Sequence, residues 1–172
     1  SAASDVYKRQ ISDDGRYILF SSDAELTESD KSDSEVNSDF PWGNSEPVET
    51  DFFLADRLND TIIRVNEDSD GNRFGNDGYA MSADLSADGT KVSFSSTANI
   101  VNSDNYQDGN LNVFVKDVTN GNVALVTVNE TGNAFYNHMS PDGQYVSYEV
   151  NGDPKIVNLE TNEVFDAPGT TY

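Results

Sequence analysis

Closely spaced oxygen-bearing side chains are the first chemistry this chain offers. In DSDGNRFGNDG (68–78), Asp68, Asp70 and Asn72 stand at the interval of the first three ligands of a helix–loop–helix calcium loop. The pattern then departs from that loop. Arg73 sits where the sharp turn needs glycine, and Tyr79 where a bidentate glutamate would close the shell. A second oxygen-rich stretch, NSDNYQDGN (102–110), offers Asp104 and Asp108. Both stretches read first as connectors, and calcium is the one cofactor they would take. Residues 23–50 gather nine carboxylates against a single base, Lys31. Amid them, Phe40 and Trp42 lie between Asp39 and Glu46, a set suited to stacking a sugar or peptide beside a cationic group. The competing expectation is a solvated insertion. His138 is the lone histidine and cysteine is absent, so a zinc site lacks ligands and a serine triad would have to be built around His138. No Gly-x-Ser-x-Gly elbow surrounds any serine, and no phosphate-binding glycine loop is present. His138 lies in an expected inner strand, where a backbone partner would satisfy it. The chain is expected not to be an enzyme.

The elements that must position these loops announce themselves by repetition. SDDGRYILFSS (12–22), SADGTKVSFSS (86–96) and SPDGQYVSYEV (140–150) are three versions of one phrase. Asp-Gly accommodates positive φ, and the preceding serine can bond the local backbone, so each phrase begins with a tight turn. Ile18 and Phe20, Val92 and Phe94, and Val146 and Tyr148 then recur at every second position, the period of a strand. DFFLAD (51–56), NVFVKD (112–117) and, more loosely, KIVNL (155–159) give a third strand, followed by RLND, VTNG and ETN turns. TIIRV (61–65), NVALVTV (122–128) and EVF (163–165) give a fourth, while YAMSADL (79–85) and AFYNHM (134–139) precede the turn. No helical period intervenes. The expectation is an all-β fold, a partial, open-arc β-propeller of about three four-stranded antiparallel blades over 11–78, 79–132 and 133–166, with a tail at 167–172.

The balance of 31 acidic against 10 basic residues, net −21, argues against nucleic acid and against anionic membrane surfaces. No run of about 18 apolar residues is present to span a bilayer. The expected partner is a protein or small ligand on the loop face, with no membrane insertion.

Ser-x-Asp-Gly followed by Phe-Ser-Ser, then Val-Phe-Val-x-Asp, Thr-Asn-Gly and a valine-rich strand, resembles the TolB-type, WD-like propeller repeats of bacteria. The match is best over 79–132, and the third unit departs from the pattern after Tyr148. Trp42 is followed by glycine, so the Trp-Asp repeat fits less well, and the sialidase-type aspartate box places its glycine differently. The resemblance implies an interaction platform in the bacterial periplasm or outside the cell. It also admits the propeller of a larger prolyl-oligopeptidase-type hydrolase whose catalytic domain is not in this chain. A calcium-stiffened cell-surface repeat is the third reading. Residues 1–10, SAASDVYKRQ, resemble the translation of a sequencing-library adaptor, so the natural protein is expected to continue upstream of Ile11 as part of a larger one. Three blades are fewer than the roughly four to eight of a closed ring, so apolar faces are expected to be exposed at both ends, with marginal stability.

Overall fold

A computed structural model describes residues 9–22, 24, 26–27, 51–71, 80–98, 100–101 and 109–166. Each unit forms one four-stranded antiparallel sheet, paired in chain order. The first comprises β1 (Arg9–Ile11), β2 (Tyr17–Ser22), β3 (Asp51–Asp56) and β4 (Thr61–Arg64). The second comprises β5 (Ala80–Leu85), β6 (Lys91–Ser96), β7 (Asn112–Asp117) and β8 (Val123–Leu125). The third comprises β9 (Ala134–Met139), β10 (Tyr145–Val150), β11 (Asp153–Asn158) and β12 (Val164–Asp166). The sheets are not closed into a ring, and the described residues contain no helix.

The first blade begins at Arg9, because Arg9–Ile11 pair with Phe20, Leu19 and Ile18 and so occupy the inner-strand position. The third unit keeps all four strands despite its divergent sequence, since Val146, Tyr148 and Val150 preserve the period-two burial that sets register.

The same polar lock builds every inner turn. Ser12, Ser86 and Ser140 donate their hydroxyls to Asp14, Asp88 and Asp142 at 2.6, 2.7 and 2.6 Å. Each aspartate also accepts the amide two residues on, from Arg16, Thr90 and Gln144 at 2.9, 2.9 and 3.0 Å. Each serine oxygen accepts the first strand amide, from Tyr17, Lys91 and Tyr145 at 2.9, 3.0 and 2.9 Å. The outer hairpins repeat a second lock. Asp56, Asp117 and Asn158 accept amides from Leu58, Thr119 and Glu160 at 2.9, 2.8 and 2.9 Å. The left-handed residue each hairpin needs is Asp60, Gly121 or Asn162.

Blades meet face to face over two cores. Leu19, Phe52, Leu54 and Val65 of the first pack with Val92, Phe94 and Phe114 of the second. Val113, Val115 and Val126 of the second pack with Met139, Val146, Tyr148 and Val157 of the third. The turns are joined as well, because Asp13 donates its amide to the Ala87 carbonyl and Ala87 to that of Pro141, each at 2.8 Å. Tyr17 and Lys91, each two residues after a turn glycine, lean on the turn that follows. A Cβ at Gly89 would lie 2.8 Å from Tyr17 Cγ, and one at Gly143 would lie 3.4 Å from Lys91 Cδ. Gly89 also holds φ +74°, so glycine is required there on both counts.

Candidate functional site

The inner turns and outer hairpins occupy one end of the sheets, so the loops after the second and fourth strands emerge at the other. Residues 23–50 leave and re-enter between Ser22 and Asp51, which are direct cross-strand partners. The base of this insertion is pinned by polar side chains. Arg64, fully buried, donates to Asp51 at 2.5 Å, and Asn66 Nδ2 donates to the other Asp51 oxygen at 2.6 Å. Asn66 Oδ1 in turn accepts the Phe52 amide at 3.0 Å. The corresponding base in the second blade is Asn112, whose Oδ1 accepts the buried Thr127 hydroxyl at 3.1 Å. Buried polar groups hold only when partnered, so each network fixes the point from which its loop departs.

Phe40, Trp42, Asp39 and Glu46 lie outside the described residues, as do Asn72, Asp104 and Asp108. Asp68 and Asp70 follow β4 in a short turn. Asp68 Oδ1 accepts the Asp70 amide at 2.8 Å, and the Gly71 amide donates to the Asp68 carbonyl at 3.2 Å. One oxygen of Asp68 is therefore committed to its own backbone. Among the described residues, no three His, Asp or Glu side chains form a group that could hold a metal ion.

Sequence reasoning missed the residue on which the three inner strands converge. Asp84 on β5 accepts the Met139 amide of β9 at 2.7 Å and a hydrogen bond from Gln10 Nε2 of β1. His138 Nδ1 lies 3.5 Å from the same carboxylate, with its ring 74% exposed. His138 thus faces solvent beside the Asp84 carboxylate instead of being held by backbone, because the strand around it buries Asn137 and Met139 and leaves His138 exposed. The Asp84 cluster joins residues 54 to 74 positions apart, and nothing local to Asp84 distinguishes it from other strand aspartates.

Beside it, at the seam of the first two blades, a pocket of about 250 Å³ is lined by Arg9, Gln10, Leu19, Phe52 and Ala83. A second missed cluster joins buried Asn137, Ser93 and Ser95 to half-buried Ser82. Asn137 donates to Ser93 at 2.9 Å and bonds Ser82, whose hydroxyl lies 2.8 Å from that of Ser95. A register shift between Ser147 and Glu149, with Tyr136 at φ +55°, accompanies Asn137's approach to the second blade. Lys116 is likewise buried, reaching the Arg64 carbonyl and Glu67 at 3.1 Å each. Burial pushes the Tyr148 phenol well above its ordinary range, and its partner Glu130, 3.2 Å away, adds to the effect.

No family model matches this chain, and no curated protein matches it. Solved structures do. The β-propeller domain of the Trilobed protease from Pyrococcus furiosus is 11% identical, with TM-score 0.58 over 97% of this chain and 44% of that one. Putative TolB from Agrobacterium tumefaciens is 15% identical, with TM-score 0.55 over 96% of this chain and 50% of that one. A prolyl endopeptidase is 12% identical, with TM-score 0.54 over 95% and 22%. The chain therefore spans half or less of each of these three structures. Identities this low speak to fold alone, and the fold they share with the three stacked sheets is that of an open run of β-propeller blades.

Proposed function

We propose that this chain is a non-catalytic β-propeller repeat segment of a bacterial envelope or secreted protein, presenting its loop end to a protein or small ligand. The observation that carries the reading is the pinned base of the insertion. Asp51, Arg64 and Asn66 lock the paired residues from which 23–50 departs, which holds a long polar segment on a rigid sheet. Trp42 and Phe40 supply the stacking surface, and Asp39 and Glu46 favour a cationic group alongside. The test is a glycan and peptide array probed with the chain, its Trp42→Ala variant and its Asp68→Asn variant. Binding that Trp42→Ala loses and Asp68→Asn keeps supports the proposal, and an array with no binder removes it.

A calcium-stiffened repeat is the second reading, resting on the turn that places Asp68 beside Asp70. It expects the melting temperature to rise in millimolar calcium chloride and Asp70→Asn to abolish the rise; an unchanged melting temperature retires it. The resemblance of the fold to peptidase propellers supports a third role, as the propeller of a larger hydrolase. Peptidase activity in the complete gene product, with a Gly-x-Ser-x-Gly serine outside these residues, tests that role.

A further inference from the structure

We propose that Asn151 is a site of spontaneous covalent modification, deamidating through a succinimide formed with Gly152, and that the product unclasps the connection between the second and third blades.

Asn-Gly is the pair most open to this reaction, because glycine has no Cβ to keep its amide nitrogen from the preceding carboxamide. The described residues hold two such pairs, Asn120–Gly121 and Asn151–Gly152, and the fold treats them oppositely. Asn120 is held at both ends of its carboxamide: Oδ1 accepts the Asn122 amide at 2.9 Å and Nδ2 donates to Asp117 at 3.1 Å. The attacking nitrogen is committed as well, since the Gly121 amide donates to the Asp117 carbonyl at 2.8 Å. The described Asp-Gly pairs share that restraint. Gly15, Gly71, Gly89 and Gly143 donate their amides to the carbonyls of Ser12, Asp68, Ser86 and Ser140 at 2.8, 3.2, 2.9 and 2.9 Å.

Gly152 is the exception. Asn151 and Gly152 form the two-residue turn between the paired Val150 and Asp153, with φ of +54° and +87°. In that turn the Gly152 amide has no hydrogen-bond partner among the described residues. A Cβ built on Gly152 would meet nothing within 4 Å, so its surroundings are open. Both residues are exposed to the water that the second step needs. The Asn151 carboxamide is held through Nδ2, which donates to the Thr131 carbonyl at 2.7 Å. Breaking that exposed bond frees Cγ to face the Gly152 nitrogen.

The step balances without a cofactor. The Gly152 nitrogen attacks Asn151 Cγ; the N–Cγ bond forms, the Cγ–Nδ2 bond breaks, and the Gly152 amide proton leaves with Nδ2 as ammonia. Water then opens the succinimide at either carbonyl, giving an aspartyl or an isoaspartyl residue.

The consequence falls on the segment that joins β8 to β9. Asn151 clasps Thr131 and Gly132 of that segment, and a Cβ at Gly132 would lie 3.1 Å from Asn151 Cγ. The product carboxylate has no N–H for the Thr131 carbonyl, and it adds a negative charge to a chain already at −21. The isoaspartyl form also inserts a methylene into the backbone of a two-residue turn whose geometry sets the hairpin register.

The test is peptide mass mapping of the intact chain after incubation in mildly alkaline heavy-oxygen water, both folded and in urea. In the folded chain Asn151 is expected to convert at least about tenfold faster than Asn120, the factor set by the two further hydrogen bonds that Asn120–Gly121 must break. The product is expected as a mixture of aspartyl and isoaspartyl forms, each carrying a heavy oxygen from ring opening. In urea the two sites are expected to react at similar rates, because both are Asn-Gly. Asn151→Asp is expected to lower the melting temperature. Equal conversion of the two sites in the folded chain, a preference that survives in urea, a product without isoaspartate, or an Asn151→Asp variant as stable as the parent would each overturn the inference.

Discussion

Asp14, Asp88 and Asp142 hold one position in three turns, and their chemistry is the most legible part of the chain. The Ser12 and Ser140 hydroxyls, with the amides of Arg16 and Gln144, hold Asp14 and Asp142 below the usual carboxylate range. At Asp88, burial pushes upward but the Thr90 amide and the Ser86 hydroxyl outweigh it. A depressed carboxylate stabilises the fold above its unfolded value of about 3.9, and that contribution is lost as pH falls through the lower folded value. The triple variant Asp14→Asn, Asp88→Asn, Asp142→Asn should therefore melt below the parent at pH 7, with the gap closing toward pH 2; a gap independent of pH would contradict this. Gly89→Ala combines a left-handed φ with Tyr17 above it, so a loss of at least about 1–2 kcal/mol is expected by urea denaturation. The turn roles could be read from sequence because every partner lies within five residues. Asp84 could not, because Gln10 and Met139 reach it from other blades.

Phe20, Phe94 and Tyr148 are the same residue of the same element, yet they differ in what covers them. Phe94 is fully buried and stacks on Phe114 at 5.6 Å, whereas Phe20 stacks on Phe53 at 5.7 Å and remains half-buried. Phe94→Ala should cost about 3–5 kcal/mol in chemical denaturation and Phe20→Ala clearly less. Equal losses would mean that the first blade is as enclosed as the second. Asn137→Ala should cost about 1–3 kcal/mol, since it strips partners from buried Ser93 and half-buried Ser82. A double-mutant cycle with Ser93→Ala would then show strong coupling. Strand order, register and shared faces were legible because period-two alternation carries them. The irregularity that brings Asn137 to Ser93 was not, since AFYNHM looks like an ordinary strand and the reason for its break is a pair of serines on another sheet.

The whole molecule is an acidic arc, and its charge acts against its compactness. With 31 acids and 10 bases, self-repulsion should lower the melting temperature in dilute buffer, and added sodium chloride should raise it until screening saturates. A melting temperature insensitive to salt would show that the repulsion is already spread too thinly to matter. The arc was legible from three recurring phrases, and the place where 23–50 emerges followed from the strand count. What that insertion recognises was not legible, because acidic residues around Trp42 suit several partners equally well. The turn-to-turn bonds running from Asp13 to Ala87 and from Ala87 to Pro141 have a direction, each unit reaching only toward its successor. Coupling of that kind has no preferred total length. A gene encoding it can lengthen by duplicating the second segment in tandem, since Ala87 brings both the amide and the carbonyl that its neighbours need, whereas Pro141 brings only the carbonyl.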